Sequence, residues 1–263
     1  MTTPGFAPEW LALRERADAE ARAAGLVEEL RPTLNRTPLV VRDLGCGTGS
    51  MGRWLTGRLD GPQHWVLHDR DPRLLSLAGA AMTGPSTTVE TREGDLTALT
   101  AHDLEGTSLV TASALLDLLT ADEVNRLAAA CVEAGVPALF TLSVAGKVEL
   151  DPTEALDAEF EAAFNAHQRR VVDGRRLLGP DAVEAAVAAF EGLGATVTTA
   201  SSPWRLAADQ AALTAEWLRG WVDAACEQEP ALVTEAPAYL RRRLGGVNAV
   251  VAHTDLLAMS RAD

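Results

Sequence analysis

Residues 43–49 read DLGCGTG, which places Gly45, Gly47 and Gly49 on alternate positions. They lie between a short apolar run (PLVVRDL, 38–44) and a helix-like one (GSMGRWLTGRL, 49–59). Each glycine loses more backbone entropy on folding than another residue would, but it lets the main chain adopt positive φ and be approached closely. A short apolar run that breaks through such a turn into a helix reads as a buried strand and the first crossover of a parallel sheet. The alternation then repeats. Strands are expected at 64–69, 87–95, 108–113 and 137–144, with helices over 71–82 and 121–134 between them. This spacing predicts an α/β doubly wound sheet with helices on both faces.

Before and after that block the pattern is helical. PEWLALRERADAEARAAGLVEEL (8–30) predicts one helix in an N-terminal segment 1–34, with Pro8 suited to a first turn and Pro32 beyond the end. Downstream come a helix (153–170), a glycine-rich loop DGRRLLGP (173–180), a helix (181–192) and a strand (195–202). Residues 204–243 read as helical, interrupted at Pro230 and Pro237, and the last strand is 248–259. We expect a single domain over 1–263 in which insertions 146–180 and 204–246 roof a pocket, since functional loops gather at one end of such a sheet.

Composition narrows the function. The net charge is −14 and Lys147 is the only lysine, so much of the surface would repel a phosphate backbone; no nucleic-acid partner is expected. No run reaches the roughly eighteen apolar residues of a membrane span, and MTTPGFAPEW lacks the basic and apolar regions of a secretory signal. Cys46, Cys131 and Cys226 are far apart and odd in number, which suggests a reduced, cytoplasmic chain without disulfides or a metal site. Nothing in the sequence specifies an oligomeric state.

Two readings compete for the glycine turn. GTGSMG (47–52) satisfies G-x-G-x-x-G, a dinucleotide fingerprint that is weak alone and here would start late, past the strand end. The alternative, D-x-G-x-G-x-G, leaves the strand directly at Gly45. Asp69, at the end of the second strand, can accept from both hydroxyls of a ribose in either case. Asp95 in REGDL, after the third strand, can accept from an adenine amine while the N–H of Leu96 meets a ring nitrogen.

This order of glycine loop, ribose acid and adenine acid resembles the class I S-adenosylmethionine (SAM) dependent methyltransferases, whose motif reads close to D-x-G-C-G-T-G. The resemblance covers 38–145, and the last strand more loosely. It implies a Rossmann-like seven-stranded sheet with an antiparallel last strand, SAM as cofactor and a small-molecule methyl acceptor. It also implies that Gly45, Cys46, Gly47 and Gly49 border the methionine part, with Asp43 near its ammonium. The carbonyl of Ser113 or Ala114 would face that same group. Asp69 with Arg70 would take the ribose end, and Gly94, Asp95 and Leu96 the adenine. Arg14, Asp18 and Arg22, spaced at four on the first helix, read as a surface pairing series; alternatively, if that helix closes over the cofactor as in the family, Arg14 can reach its carboxylate.

On the acceptor side two residues stand out. His167 shares a helix face with Phe160 and Phe164 in the first insertion and is either a general base or a half-buried polar residue of a cap. Asp117, in SALLDLLT, lies near the expected methyl-transfer point and either accepts a proton or is a plain N-terminal helix acid. Leu213, Trp217 and Trp221 form an i, i+4, i+8 stripe suited to packing cap on sheet. SALLD stands where an adenine or cytosine N-methylating enzyme would carry [N/D]-P-P-[Y/F], a further argument against nucleic acid. The alternatives are a non-catalytic SAM-binding protein, a SAM-fold enzyme of other chemistry, and a nicotinamide oxidoreductase.

Overall fold

The computed structural model describes residues 6–82 and 84–260, so the first five residues of segment 1–34 lie outside it. The central strands are β1 (Leu39–Leu44), β2 (Gln63–Asp69), β3 (Thr87–Glu93), β4 (Leu109–Ser113) and β5 (Ala138–Asp151). Two short strands, β6 (Val171–Val172) and β7 (Arg175–Arg176), form a separate hairpin. The sheet is completed by β8 (Thr196–Ser201), β9 (Trp204–Leu206) and β10 (Asn248–Met259). Its order is β3-β2-β1-β4-β5-β10-β8, with β9 also pairing β10. Strands β1 to β5 run parallel, and β10 runs antiparallel to β5, β8 and β9.

The doubly wound α/β fold is thus observed, with eight strands in place of the expected seven. The extra one, β9, lies inside the stretch 204–243 expected to be helical. Trp204–Leu206 pairs with Ala249–Val251, because the outer half of β10 needs a partner on the side away from β5.

The helices are α1 (Pro8–Ala21), α2 (Ala24–Leu30), α3 (Ser50–Thr56), α4 (Pro72–Ala81), α5 (Ala121–Glu133), α6 (Asp157–Gln168), α7 (Ala182–Gly192), α8 (Ala211–Gln228) and α9 (Ala236–Leu244). Local chemistry sets several starts. Asp71 caps α4 by accepting from the Arg73 N–H, with Pro72 in the first turn. Thr120 and Glu123 form a capping box on α5.

The single helix expected over 8–30 is two. Arg22 is extended (φ −53°, ψ 133°), and the Ala23 N–H leaves the helical ladder for the Asp255 carboxylate at 2.8 Å. The fifth strand continues past 144 to Asp151, because Asn248–Val251 of β10 pairs along it.

Apolar side chains collect in three cores. One, with Phe140, Val124, Leu127 and Phe190, lies under α5 and α7. A second, with Val41, Trp65, Leu75 and Leu55, lies under α2, α3 and α4 on the opposite face. The third, with Phe160, Leu213, Trp221 and Tyr239, joins α6, α8 and α9 to the outer ends of β5 and β10. The second and third α8 residues of the predicted stripe therefore split: Trp221 is fully buried, stacked on Trp217 and beside Phe160, while Trp217 is half-buried. Among the described residues no helix is long and apolar enough to cross a membrane, and no cluster of three His, Cys, Asp or Glu side chains could hold a metal.

Candidate active site

The chain winds outward from β1 through β2 to β3, then returns to place β4 on the other side of β1. In a doubly wound sheet of this order, that switch point is where a ligand crevice forms outside the carboxyl ends of the strands. Gly45, Gly47 and Gly49 form one wall, with φ of +63°, +55° and +85°. A Cβ on Gly45 would meet Leu115 Cδ1 at 3.0 Å, and one on Gly47 would meet Leu11 Cδ1 at 3.1 Å. Leu115 follows β4 and Leu11 lies on α1, so the bare main chain is bordered by both elements.

Asp43 sits beneath this loop at the end of β1, fully buried. Its register partner on β4 is Thr111, whose hydroxyl donates to Oδ1 at 2.9 Å, whereas Oδ2 has no partner among the described residues. Burial pushes its carboxyl up to about 7, against the pull of the Thr111 hydrogen bond and the Arg22 charge. Cys46 is buried nearby, and burial together with Asp43 and Asp69 pushes its thiol up, so it is no thiolate nucleophile.

Arg22 supplies the charge opposite Asp43. It is 4% exposed, and its Nη2 donates to the hydroxyls of Ser50 (3.0 Å) and Ser113 (3.1 Å), bridging the start of α3 and the end of β4. Its Nε and Nη1 are buried without a partner among the described residues. A buried guanidinium with orphan donors beside a buried carboxylate with an orphan acceptor is costly unless a zwitterion completes both. An α-amino acid end group has that form: an ammonium for Asp43 Oδ2, a carboxylate for Arg22. These residues and the open glycine main chain fit the methionine end of SAM.

Sequence reasoning overlooked Arg22, reading it with Arg14 and Asp18 as a surface series spaced at four. The missed signal is Asp255, an acid inside the apolar strand NAVVAHTDLLAM. Fully buried, it accepts from the Leu142 N–H (2.7 Å) and the Ser202 hydroxyl through Oδ1, and from Ala23 N–H through Oδ2. The strand register shifts at this point, and Leu142 has φ of +56°. The carboxylate therefore satisfies an irregular stretch of sheet and fixes the bend that turns Arg22 inward.

The remaining positions lie along the same crevice. Asp69 accepts from the Gly47 N–H (2.9 Å) and the Asp71 N–H (3.0 Å), tying the glycine loop to β2. Gly94 donates to the Asp69 carbonyl at 3.2 Å and so brings Asp95 to the same rim. Asp95 caps a short turn through Thr97 (2.9 Å), which holds its carboxyl below the usual range, and Leu96 is half-buried behind it. Arg70 is exposed beside them. Ser113 ends β4, and Ala114 follows at φ +51° with its N–H on the Thr141 carbonyl.

Arg14, whose charge is felt by Arg22, is tied to its own helix. Its Nε bonds Asp18 at 3.2 and 3.0 Å, and it lies over the Trp204 ring at 4.8 Å.

Asp117 occupies the loop after β4, two residues beyond Leu115. Burial pushes its carboxyl up to about 6, opposed first by its own backbone N–H and then by the charges of Arg14 and Arg170. Arg170 at the end of α6 contacts His167, with Nη1 at 3.3 Å from Nδ1. An arginine can only donate, so Nδ1 accepts and Nε2 carries the proton toward Glu227 at 3.0 Å. Both ring nitrogens of His167 are engaged, and burial with Arg170 lowers its proton affinity. The loop of Asp117 is fastened by Arg175, which pairs with Glu123 (2.6 Å) and donates to the Leu118 carbonyl (3.1 Å).

The family model of the methyltransferase domain matches residues 41–137, the span from β1 to just before β5. No curated protein sequence matches the chain. Among solved structures, the YcgJ protein of Bacillus subtilis is similar at 11% identity and a TM-score of 0.52, over 90% of this chain and 98% of that one. A mycolic acid cyclopropane synthase, complexed with SAH and CTAB, is similar at 13% identity and a TM-score of 0.50, over 90% and 83% of the two chains. At such identities the likeness speaks for the fold.

Proposed function

We propose, from the premise that residues 41–137 form a class I SAM-dependent methyltransferase domain, that this chain transfers a methyl group from SAM to an O, N or C atom of a small-molecule acceptor. The observation that carries the reading is the pair of orphaned buried charges, Asp43 Oδ2 and the Nε and Nη1 of Arg22, beneath three glycines at positive φ. Asp43 and Arg22 would hold the amino-acid end, Asp69 the ribose hydroxyls, and Asp95 with the Leu96 N–H the adenine. Gly45, Gly47 and Gly49 let the methionine chain lie against the backbone. The cyclopropane synthase bound to SAH on this fold supports that choice of cofactor.

Bound there, SAM supplies an electrophilic methyl carbon on a sulfonium leaving group. The protein's part is alignment, exclusion of water and disposal of a proton. Leu11 and Leu115 flank the glycine loop and keep the site apolar where the methyl would lie. Asp117 is the better placed base, because its raised carboxyl suits proton acceptance near neutrality whereas both nitrogens of His167 are engaged. His167 then acts as a positioning residue, holding Arg170 toward Asp117.

Calorimetry with S-adenosylhomocysteine tests the reading. Arg22→Ala should lose about 1.5–3 kcal/mol of binding, roughly ten- to a hundred-fold in Kd. Asp117→Asn should keep that affinity and lose methyl transfer. An S-adenosylhomocysteine affinity indifferent to Arg22 rejects the proposed site.

A further inference from the structure

Arg14 is built like a clamp whose outer edge is unused. Its side chain is 12% exposed, so the guanidinium is largely withdrawn from water. Nε is committed to both oxygens of Asp18. Asp18, 4% exposed, is itself fixed by the Trp204 indole N–H at 2.9 Å. The guanidinium also lies over the rings of Trp204 (4.8 Å) and Trp10 (5.9 Å). Nη1 and Nη2 take no protein hydrogen bond among the described residues. A planar fork held on its inner side, with two parallel donors free, matches the geometry of a carboxylate.

Its location gives that edge a use. Arg14 is one helical turn beyond Leu11, the residue against Gly47, so it borders the place where the methyl group would be presented. It acts electrostatically on Asp117, as does Arg170 from the end of α6. Helix α1 and the stretch just past α6 thus bring two arginines toward one half-buried loop in a chain whose net charge is −14. Arg22 already answers the cofactor's carboxylate in the proposed site, which leaves Arg14 for another anion.

Building on the methyltransferase reading, we propose that the acceptor is a carboxylate-bearing small molecule, anchored by Nη1 and Nη2 of Arg14 with its nucleophilic O–H or N–H directed at Asp117. On transfer, the acceptor's lone pair forms the new bond to the methyl carbon. The carbon–sulfur pair stays on sulfur, and the acceptor's proton passes to Asp117. The acceptor carboxylate is an anchor and is not itself methylated.

The test uses the full chain saturated with S-adenosylhomocysteine, titrated with acid and amide pairs: benzoate and benzamide, 4-hydroxybenzoate and 4-hydroxybenzamide, succinate and succinamide. At least one acid should bind about tenfold more tightly than its amide, the order expected for a charge-assisted bidentate contact. Arg14→Gln should bring that pair to about equal affinity while changing the S-adenosylhomocysteine Kd less than about twofold. Arg14→Lys, which keeps the charge but not the fork, should retain part of the preference and serves if the glutamine variant folds poorly. No acid preferred over its amide, or a preference that survives Arg14→Gln, overturns the proposal. So does a large loss of S-adenosylhomocysteine affinity in Arg14→Gln, which would assign Arg14 to the cofactor instead. Failure of the unaltered protein to bind S-adenosylhomocysteine would instead remove the methyltransferase reading on which it rests.

Discussion

A carboxyl pushed up to about 7 is an unusual partner for a cation at neutral pH, and Asp43 owes it to burial. The groups facing it are the Thr111 hydroxyl on β4, Arg22 from the N-terminal bend and the more distant Asp69 on β2. Its folded value lies above the unfolded carboxylate value. The free protein is therefore stabilised by this group at acid pH and loses that contribution as pH rises toward about 7. Binding of an ammonium has the opposite sign, since only the ionised carboxylate attracts it. S-adenosylhomocysteine affinity should therefore rise as pH crosses about 7 and then level off. Asp43→Asn should flatten the profile, and an equal slope in both proteins would show that another group titrates. At this scale much was legible: glycine spacing and an acid at a strand end are local signals. Arg22 was not, because nothing in the series Arg14, Asp18, Arg22 marks which of them turns inward.

Elements aim these residues, and the bend between α1 and α2 matters most. It is held by a carboxylate more than two hundred residues away in sequence, through the Ala23 N–H and Asp255 Oδ2. Asp255 spends its other oxygen on Leu142 and Ser202. An asparagine offers one acceptor oxygen where two are needed. Asp255→Asn should thus speed hydrogen exchange at the Ala23 amide and weaken S-adenosylhomocysteine binding through Arg22. Ser202→Ala removes a neighbour of the same carboxylate but leaves the Ala23 bond, so it should cost stability without that loss of affinity. Equal affinity losses in the two variants would reduce Asp255 to a general support of the sheet. Periodicity gave the elements of the alternating block well. It misread 8–30 as continuous and 204–206 as helix, because both depend on what β10 offers from across the molecule.

At the level of the whole molecule, the proposed site draws on three bodies: the parallel half of the sheet, helix α1 and the layer of α6, α8 and α9 on the third core. Helix α1 joins that layer to the sheet, since Ala17 packs in the third core while Glu15 pairs with Arg53 of α3 at 2.6 Å. A ligand bridging the glycine loop and Arg22 should therefore stabilise the chain as one unit. With S-adenosylhomocysteine at a hundred times its Kd the gain should be about 2.7 kcal/mol, raising Tm by about 5–10 °C in a chain of this size. Thermal melts followed by near-ultraviolet circular dichroism, which reports Trp54 and Trp65 of the sheet core together with the tryptophans of α1 and α8, should move as a single transition. A transition of the α6, α8 and α9 layer that stays in place while the sheet's shifts would show that α1 does not couple them.

The sequence by itself determined the alternating strands and helices, the glycine turn at the first crossover and the acids that end the first three strands. These follow from neighbours within a few positions, where periodicity, turn chemistry and capping act. Tertiary structure alone decided that Arg22 enters the crevice, that Arg14 keeps a free edge, that both nitrogens of His167 are engaged and that an eighth strand completes the sheet. Each of those outcomes turns on which buried polar group finds a partner, and the partners lie far apart in sequence until the chain folds.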